Sequence, residues 1–359
     1  MSTTSPVRVV VADDSALMRN IVTRSLTKAG IEVVGSARDG DEALALCERQ
    51  RPDAMTLDLT MPGLDGLGVL RVLRERTDTS IPVVVVSAFS AAHGARAVDA
   101  LAEGAFDLVS KPTANESLDS FIEALGTKVK QAAASRRAPR SASNGSALAA
   151  RPGARGVQPP ALTPRRSPAP SKVARLVLIA TSTGGPRALA ALVPTLPAPL
   201  GVGTLIVQHM PAGFTGSLAA RLNASSKLSV IESTGGETLD PRTALLAPGG
   251  QHLRLAQDGR TMLTDEPAVG GLRPRADLLI QDAARAYRDR LLLVVLTGMG
   301  NDGLAGAREV HRNGGRILVE AEETCTVYGM PRAIVDSGLA DEVHPLGQLA
   351  EVIASEARA

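Results

Sequence analysis

Aromatic residues are nearly missing from this chain: no Trp, two Tyr and four Phe in 359 residues. Cores must therefore be built from Ala, Val, Leu and Ile, and stacking platforms for single-stranded nucleic acid are excluded. Cysteine is equally scarce. Cys47 and Cys325 cannot make a disulfide framework, which fits a reducing compartment. No apolar run approaches the roughly 20 residues of a membrane span. Met1 to Arg8 lacks a basic stretch followed by an apolar one, so no signal peptide is expected and the location read from the sequence is cytoplasmic. The length suggests two domains of ordinary size.

What is present is unevenly distributed. The net charge of +2 hides −5 over residues 1–129, +9 over 130–172 and −2 over 173–359. Lys130 to Lys172 contains no acidic residue and is rich in Ala, Pro, Ser and Arg, without helical or alternating pattern. It reads as a disordered, self-repelling linker. Its arginines, among them Arg136, Arg137, Arg140, Arg165 and Arg166, offer a nucleic-acid or membrane contact. No nucleic-acid recognition motif accompanies them, so a solvated tether is the reading preferred and no nucleic-acid partner is expected.

Residues 1–129 alternate strand and helix five times. Strands are expected near 7–13, 31–37, 54–58, 83–87 and 105–110, with helices near 15–29, 39–50, 64–76, 93–103 and 115–130. Five such units imply a parallel sheet covered on both faces, in flavodoxin-like order. Asp13 and Asp14 end the first strand and Asp58 the third, so three carboxylates meet at the switch point. Their mutual repulsion suits a hard cation such as Mg²⁺. Ser87 and Lys111 end strands four and five. A carboxylate nucleophile, a metal and two donors for phosphoryl oxygens can together carry phosphoryl transfer.

In residues 173–359 three polar residues follow apolar runs: Ser182 after Leu176 to Ala180, His209 after Thr204 to Gln208, and Asp302 after Leu291 to Thr297 and a Gly-rich loop. Such runs read as strands buried on both faces, and ligands bind at their carboxyl ends. The three side chains predict a serine hydrolase: nucleophile, base and orienting acid. Thr181-Ser182-Thr183-Gly184-Gly185-Pro186 is a tight strand-to-helix turn. It departs from the G-x-S-x-G elbow at Ala180, and the order Ser, His, Asp differs from that of α/β-hydrolases. A dinucleotide-binding turn is disfavoured, because no acidic residue lies between Glu123 and Glu232. His252 is the rival base, and a second Ser-Thr-Gly-Gly at Ser233 to Gly236 reads as a structural turn. Asp302 could also cap the helix that follows. Residues 232–275 are turn-rich and look like antiparallel hairpins. The expected fold is a doubly wound, mostly parallel α/β/α sandwich with that hairpin region.

Two resemblances follow from these residues. Asp13-Asp14, Asp58 before Met61-Pro62-Gly63, Ser87-Ala88 and Lys111-Pro112 resemble the receiver domain of response regulators. This implies that Asp58 takes a phosphoryl group from a chemotaxis histidine kinase. It also implies that Asp13, Asp14, Asp58 and the Thr60 carbonyl hold Mg²⁺, that Phe106 moves with Ser87, and that the Lys111–Pro112 bond is cis. Ala180 to Leu189, Gln208 to Pro211, Ala247 to Gly250, Leu296 to Gly303 and Cys325 to Arg332 resemble the chemotaxis protein-glutamate methylesterase family. This implies demethylation of glutamate γ-methyl esters, and deamidation of glutamines, on methyl-accepting chemoreceptors. The enzyme would be peripheral to the membrane only through those receptors, with no cofactor for the hydrolysis. Met299 N–H would serve the oxyanion hole, Thr183 would shape the site, and Cys325 reads as packing. The rival readings are a phospho-switched binding module with a catalytically dead second domain, and a regulator whose basic linker engages DNA.

Overall fold

The computed structural model describes residues 5–75, 81–88, 91–112, 117–137 and 174–358. The first unit contains β1 (Arg8–Ala12), α1 (Ala16–Lys28), β2 (Glu32–Ala37), α2 (Gly40–Gln50) and β3 (Ala54–Leu57). It continues with α3 (Gly66–Glu75), β4 (Val83–Ser87), α4 (Ala91–Ala102), β5 (Asp107–Ser110) and α5 (Leu118–Arg137). The five strands are parallel in the order β2-β1-β3-β4-β5. β1, β3 and β4 bury nearly every residue, as strands covered on both faces must. Ser15 caps α1 by accepting from Met18 N, and Gly30, at φ 75°, turns the chain out of it.

Two expectations are corrected here. The fifth helix does not stop near residue 130. It runs to Arg137, because Val129, Ala132 and Ala133 pack into the core of the first unit and alanine favours the helix. The segment 130–137 therefore belongs to the first unit, and the rest of the proposed linker lies outside the described residues. The Lys111–Pro112 bond is not cis; the cis bonds found are Ala198–Pro199 and Arg273–Pro274. The small energy gap between X–Pro isomers leaves that choice to local packing, which the shared Lys-Pro motif alone does not fix.

The second unit contains β6 (Leu176–Thr181), α6 (Gly185–Leu192), β7 (Gly203–Gln208), α7 (Thr215–Ser225), β8 (Ser229–Glu232) and β9 (Thr243–Leu246). Then come β10 (His252–Leu255), β11 (Thr261–Thr264), α8 (Ala276–Tyr287), β12 (Leu291–Val295), α9 (Leu304–Arg312) and β13 (Arg316–Glu320). The last elements are α10 (Met330–Asp336), β14 (Glu342–His344) and α11 (Leu346–Ala357). Seven strands form one parallel sheet, ordered β14-β13-β12-β6-β7-β9-β8. The turn-rich stretch is only partly antiparallel. β10 and β11 form a hairpin, but β9 joins the main sheet beside β7, since Ala244 to Leu246 are apolar enough to be buried there.

The chain adds β7 on one side of β6 and β12 on the other. The crevice beyond the carboxyl ends of β6 and β12 is thus the topological switch point, where ligands bind in open α/β sheets. The first unit packs beside this edge. Gly94 on α4 lies so close to α7 that a Cβ there would come 2.8 Å from Ser217 Oγ and 3.2 Å from Gly213 O. Asp99 pairs with Arg221. Val327 packs on the cluster of the first unit that includes Phe106 and Phe121.

Candidate active site and phosphoacceptor pocket

Ser182 leaves the end of β6, His209 the end of β7, and Asp302 the loop after β12, so the switch point gathers all three. His209 Nε2 and Asp302 Oδ2 are 2.7 Å apart. The other ring nitrogen, Nδ1, is buried and has no partner among the described residues. If Nε2–H donates to the carboxylate, the lone pair is on Nδ1. Among the described residues no hydrogen bond joins Ser182 Oγ to His209. The serine turn itself is held by its backbone: Ser182 N donates to Thr297 O at 3.1 Å, and Ser182 O accepts from Gly185 N and Gln208 Nε2. Gly184 has φ 80°, and a Cβ there would stand 2.4 Å from Thr326, so the turn demands glycine.

Asp302 is 1 % exposed and gathers four hydrogen-bond contacts and one ion pair. Oδ2 accepts from Ala276 N and faces the histidine, Oδ1 accepts from Asp277 N and Gly303 N, and the Arg275 guanidinium is ion-paired with Oδ1 at 2.9 Å. Burial alone would raise its pKa. The His209 contact, then the backbone N–H groups, outweigh it and hold the carboxyl well below the usual range. The cap expected of Asp302 on the helix after it is not made, since α9 starts from Gly303 without a side-chain cap; Asp302 caps the first turn of α8 instead. Asp277 reciprocates, accepting from Gly303 N and Gly306 N at the start of α9. Burial, then the Asp302 charge, push Asp277 upward, partly offset by Gly306 N–H.

The other candidates separate cleanly. His252 is fully buried, with Nδ1 accepting from Arg275 N, so it supports the loop of cis-Pro274. Ser233 donates to Glu237 in a turn through Gly235 and Gly236, as the structural reading expected. Cys325 has its thiol pushed far up, first by burial and then by Glu320. Met299 is 41 % exposed on the loop between Thr297 and Asp302. Thr183 Oγ1 donates to Asp107 Oδ2 at 2.6 Å, a bond between the two units made one residue from Ser182.

In the receiver, carboxylate oxygens of Asp13, Asp14 and Asp58 lie within 4.8 Å of one another. Lys111 Nζ is 2.8 Å from Asp13 and 3.0 Å from Asp58. Burial raises the Asp58 pKa and Lys111 pulls the other way. Three carboxylates against one ammonium leave excess negative charge on hard oxygen donors, which fits a divalent ion such as Mg²⁺. Thr60 is exposed on the loop after β3. Ser87 and Phe106 are buried at the ends of β4 and before β5.

Comparison with known proteins decides the family. Residues 9–123 match the response regulator receiver domain, and residues 177–353 match the CheB methylesterase domain. A protein-glutamate methylesterase/protein-glutamine glutaminase of Symbiobacterium thermophilum is 42% identical, covering 97% of this chain and 96% of its own. The chain belongs to the protein-glutamate methylesterase/protein-glutamine glutaminase family. A numbered relative of the same name in Myxococcus xanthus is also 42% identical, over 98% of both chains. The methylesterase catalytic domain of Thermotoga maritima is 41% identical, covers 50% of this chain and 97% of its own, and superposes with a TM-score of 0.49. The methylesterase fold also contains residues that the sequence did not single out. Thr297 and Glu320 brace the serine turn, Arg275 and Asp277 brace Asp302, and Asp107 reaches across from the receiver. Thr297 lies inside the Leu296 to Gly303 block, where nothing marks its role; the others lie outside the quoted blocks, and each is a polar residue whose partner in the site is set by the fold.

Proposed function

We propose that this methylesterase hydrolyses glutamate γ-methyl esters and γ-amides on the cytoplasmic helices of chemoreceptors, and that phosphorylation of Asp58 releases it. The carrying observation is the 2.7 Å contact of His209 with Asp302 beside the strand end that bears Ser182. His209 Nδ1 takes the proton as Ser182 Oγ bonds to the γ-carbonyl carbon. The oxyanion is met by backbone N–H groups, with Met299 N–H as the donor on the β12 loop and Thr183 shaping the opposite wall. Collapse of the tetrahedral intermediate breaks the bond to methoxide, which leaves as methanol with the proton from His209; from glutamine the leaving group is ammonia. Water, deprotonated by the same histidine, then cleaves the acyl-serine and frees the glutamate.

Asp58 accepts the phosphoryl group from a phosphohistidine of the chemotaxis kinase. Mg²⁺ held by Asp13, Asp14, Asp58 and the Thr60 carbonyl would neutralise charge developing on the phosphoryl oxygens. Lys111 and Ser87 then face those oxygens, and Phe106 moves with Ser87. The receiver is read as the restraint: Asp107 holds Thr183, and Phe106 belongs to the cluster that packs Val327. Methanol release from methylated receptor membranes, with and without an acyl-phosphate donor and Mg²⁺, tests this. Ser182→Ala should abolish release, and Asp58→Asn should keep the basal rate but ignore the donor. Turnover retained by Ser182→Ala would refute the mechanism.

A further inference from the structure

Glu320, at the carboxyl end of β13, is completely buried. No described ion pair reaches it. A carboxyl without a cation in such a place carries a desolvation cost that a leucine would not, and burial pushes its pKa up. Its two oxygens are nonetheless engaged. Oε2 accepts from Thr297 N at 2.7 Å, and Oε1 accepts from the Thr324 hydroxyl at 3.0 Å.

Thr297 is the residue through which this carboxylate meets the site. Its carbonyl accepts from Ser182 N and, at 2.7 Å, from Thr181 Oγ1. Its hydroxyl is 3.0 Å from Thr183 O and accepts from Val327 N. One threonine thus grips residues 181, 182 and 183 together. The next residue, Gly298, is fixed from the other side: its carbonyl accepts from Gly329 N and Met330 N. A Cβ on Gly298 would sit 2.4 Å from Met330 Sδ and 2.9 Å from Ser182 Cβ, so this loop and the serine turn are in direct contact.

We infer that Glu320 is a positioning residue for the hydrolysis: through Thr297 it fixes the loop that aligns Ser182 with the Met299 N–H. This rests on Ser182 being the nucleophile. Its role is reach rather than charge, since the group it must hold is a neutral peptide N–H.

That distinction sets the test, in the full-length enzyme by methanol release. Glu320→Gln keeps the length and an acceptor for Thr297 N. The Thr324 hydroxyl can turn to accept from the new amide, as hydroxyls both donate and accept. It should keep kcat within about threefold, since the aligning bond survives. Glu320→Asp keeps the charge but is one methylene short. It should lose roughly 10- to 100-fold in kcat with KM unchanged, the scale of a misplacement near 1 Å. Circular dichroism melting establishes that each variant is folded. The inference is overturned if Glu320→Asp turns over normally, or if folded Glu320→Gln falls 10-fold or more. The Gln arm decides alone should Glu320→Asp not fold. Ser182→Ala in the same assay separates the two claims: activity surviving there removes the nucleophile assignment whatever position 320 does.

Discussion

Asp302 shows how much one carboxylate can be asked to do. It orients His209 and caps α8, and Arg275 supplies its counter-charge. Asp302→Asn keeps the volume but turns an NH₂ toward either the ring N–H or the backbone donors. The imidazole then loses the partner that fixes its tautomer. A fall in kcat of about 10³- to 10⁴-fold is expected, with KM little changed, on the scale seen when a triad carboxylate is amidated elsewhere. Because one N–H group of the first turn of α8 loses its acceptor whichever way the amide turns, the melting temperature should fall as well. A kinetic loss without any thermal loss would mean that the cap is satisfied some other way.

At the scale of elements, apolar runs made the strands legible, and a polar residue after each run made Ser182, His209 and Asp302 legible as a set. The partners of those residues were not. Glu320 closes the run Arg316-Ile317-Leu318-Val319-Glu320 and is followed closely by Glu322 and Glu323. Only the parallel register that sets β13 beside β12 tells it from its exposed neighbours. Likewise, Asp302 was visible as a cap, but α8, which precedes it by 26 residues, becomes its target only through the packing of α8 on α9. The turn after β8 offers a measurable case of such a hidden partner. Glu237 gathers hydrogen bonds from the Thr261 hydroxyl, Thr234 N and the Ser233 hydroxyl; against the desolvation that would raise it, they bring its pKa from 4.5 to about 2. A depressed folded value means stability that is complete above the unfolded value and disappears as pH falls from 4.5 toward 2. Glu237→Gln should therefore melt at a lower temperature at pH 7, and the gap to the parent should close near pH 2. A gap independent of pH would assign the loss to packing instead of charge.

At the scale of the molecule, the two units carry net charges of the same sign, so their contact depends on local pairs and apolar packing. Arg221→Asp sets two like charges against each other at the Asp99 position. Basal methanol release should rise, and the added Asp99→Arg should return it toward the parent rate. A double variant as active as the single would show that this pair does not set the restraint. The helices come close at Gly94, where the missing Cβ lets α4 lie against Ser217 and Gly213. A single methyl there would act as a wedge. Its consequence extends to the far side of the receiver. If phosphorylation and domain closure oppose one another, linkage makes the opposition mutual: whatever pries the units apart must also favour the phosphorylated receiver at equilibrium. Gly94 is then a setting for how readily the kinase signal is stored, placed on a surface that touches neither phosphate nor ester.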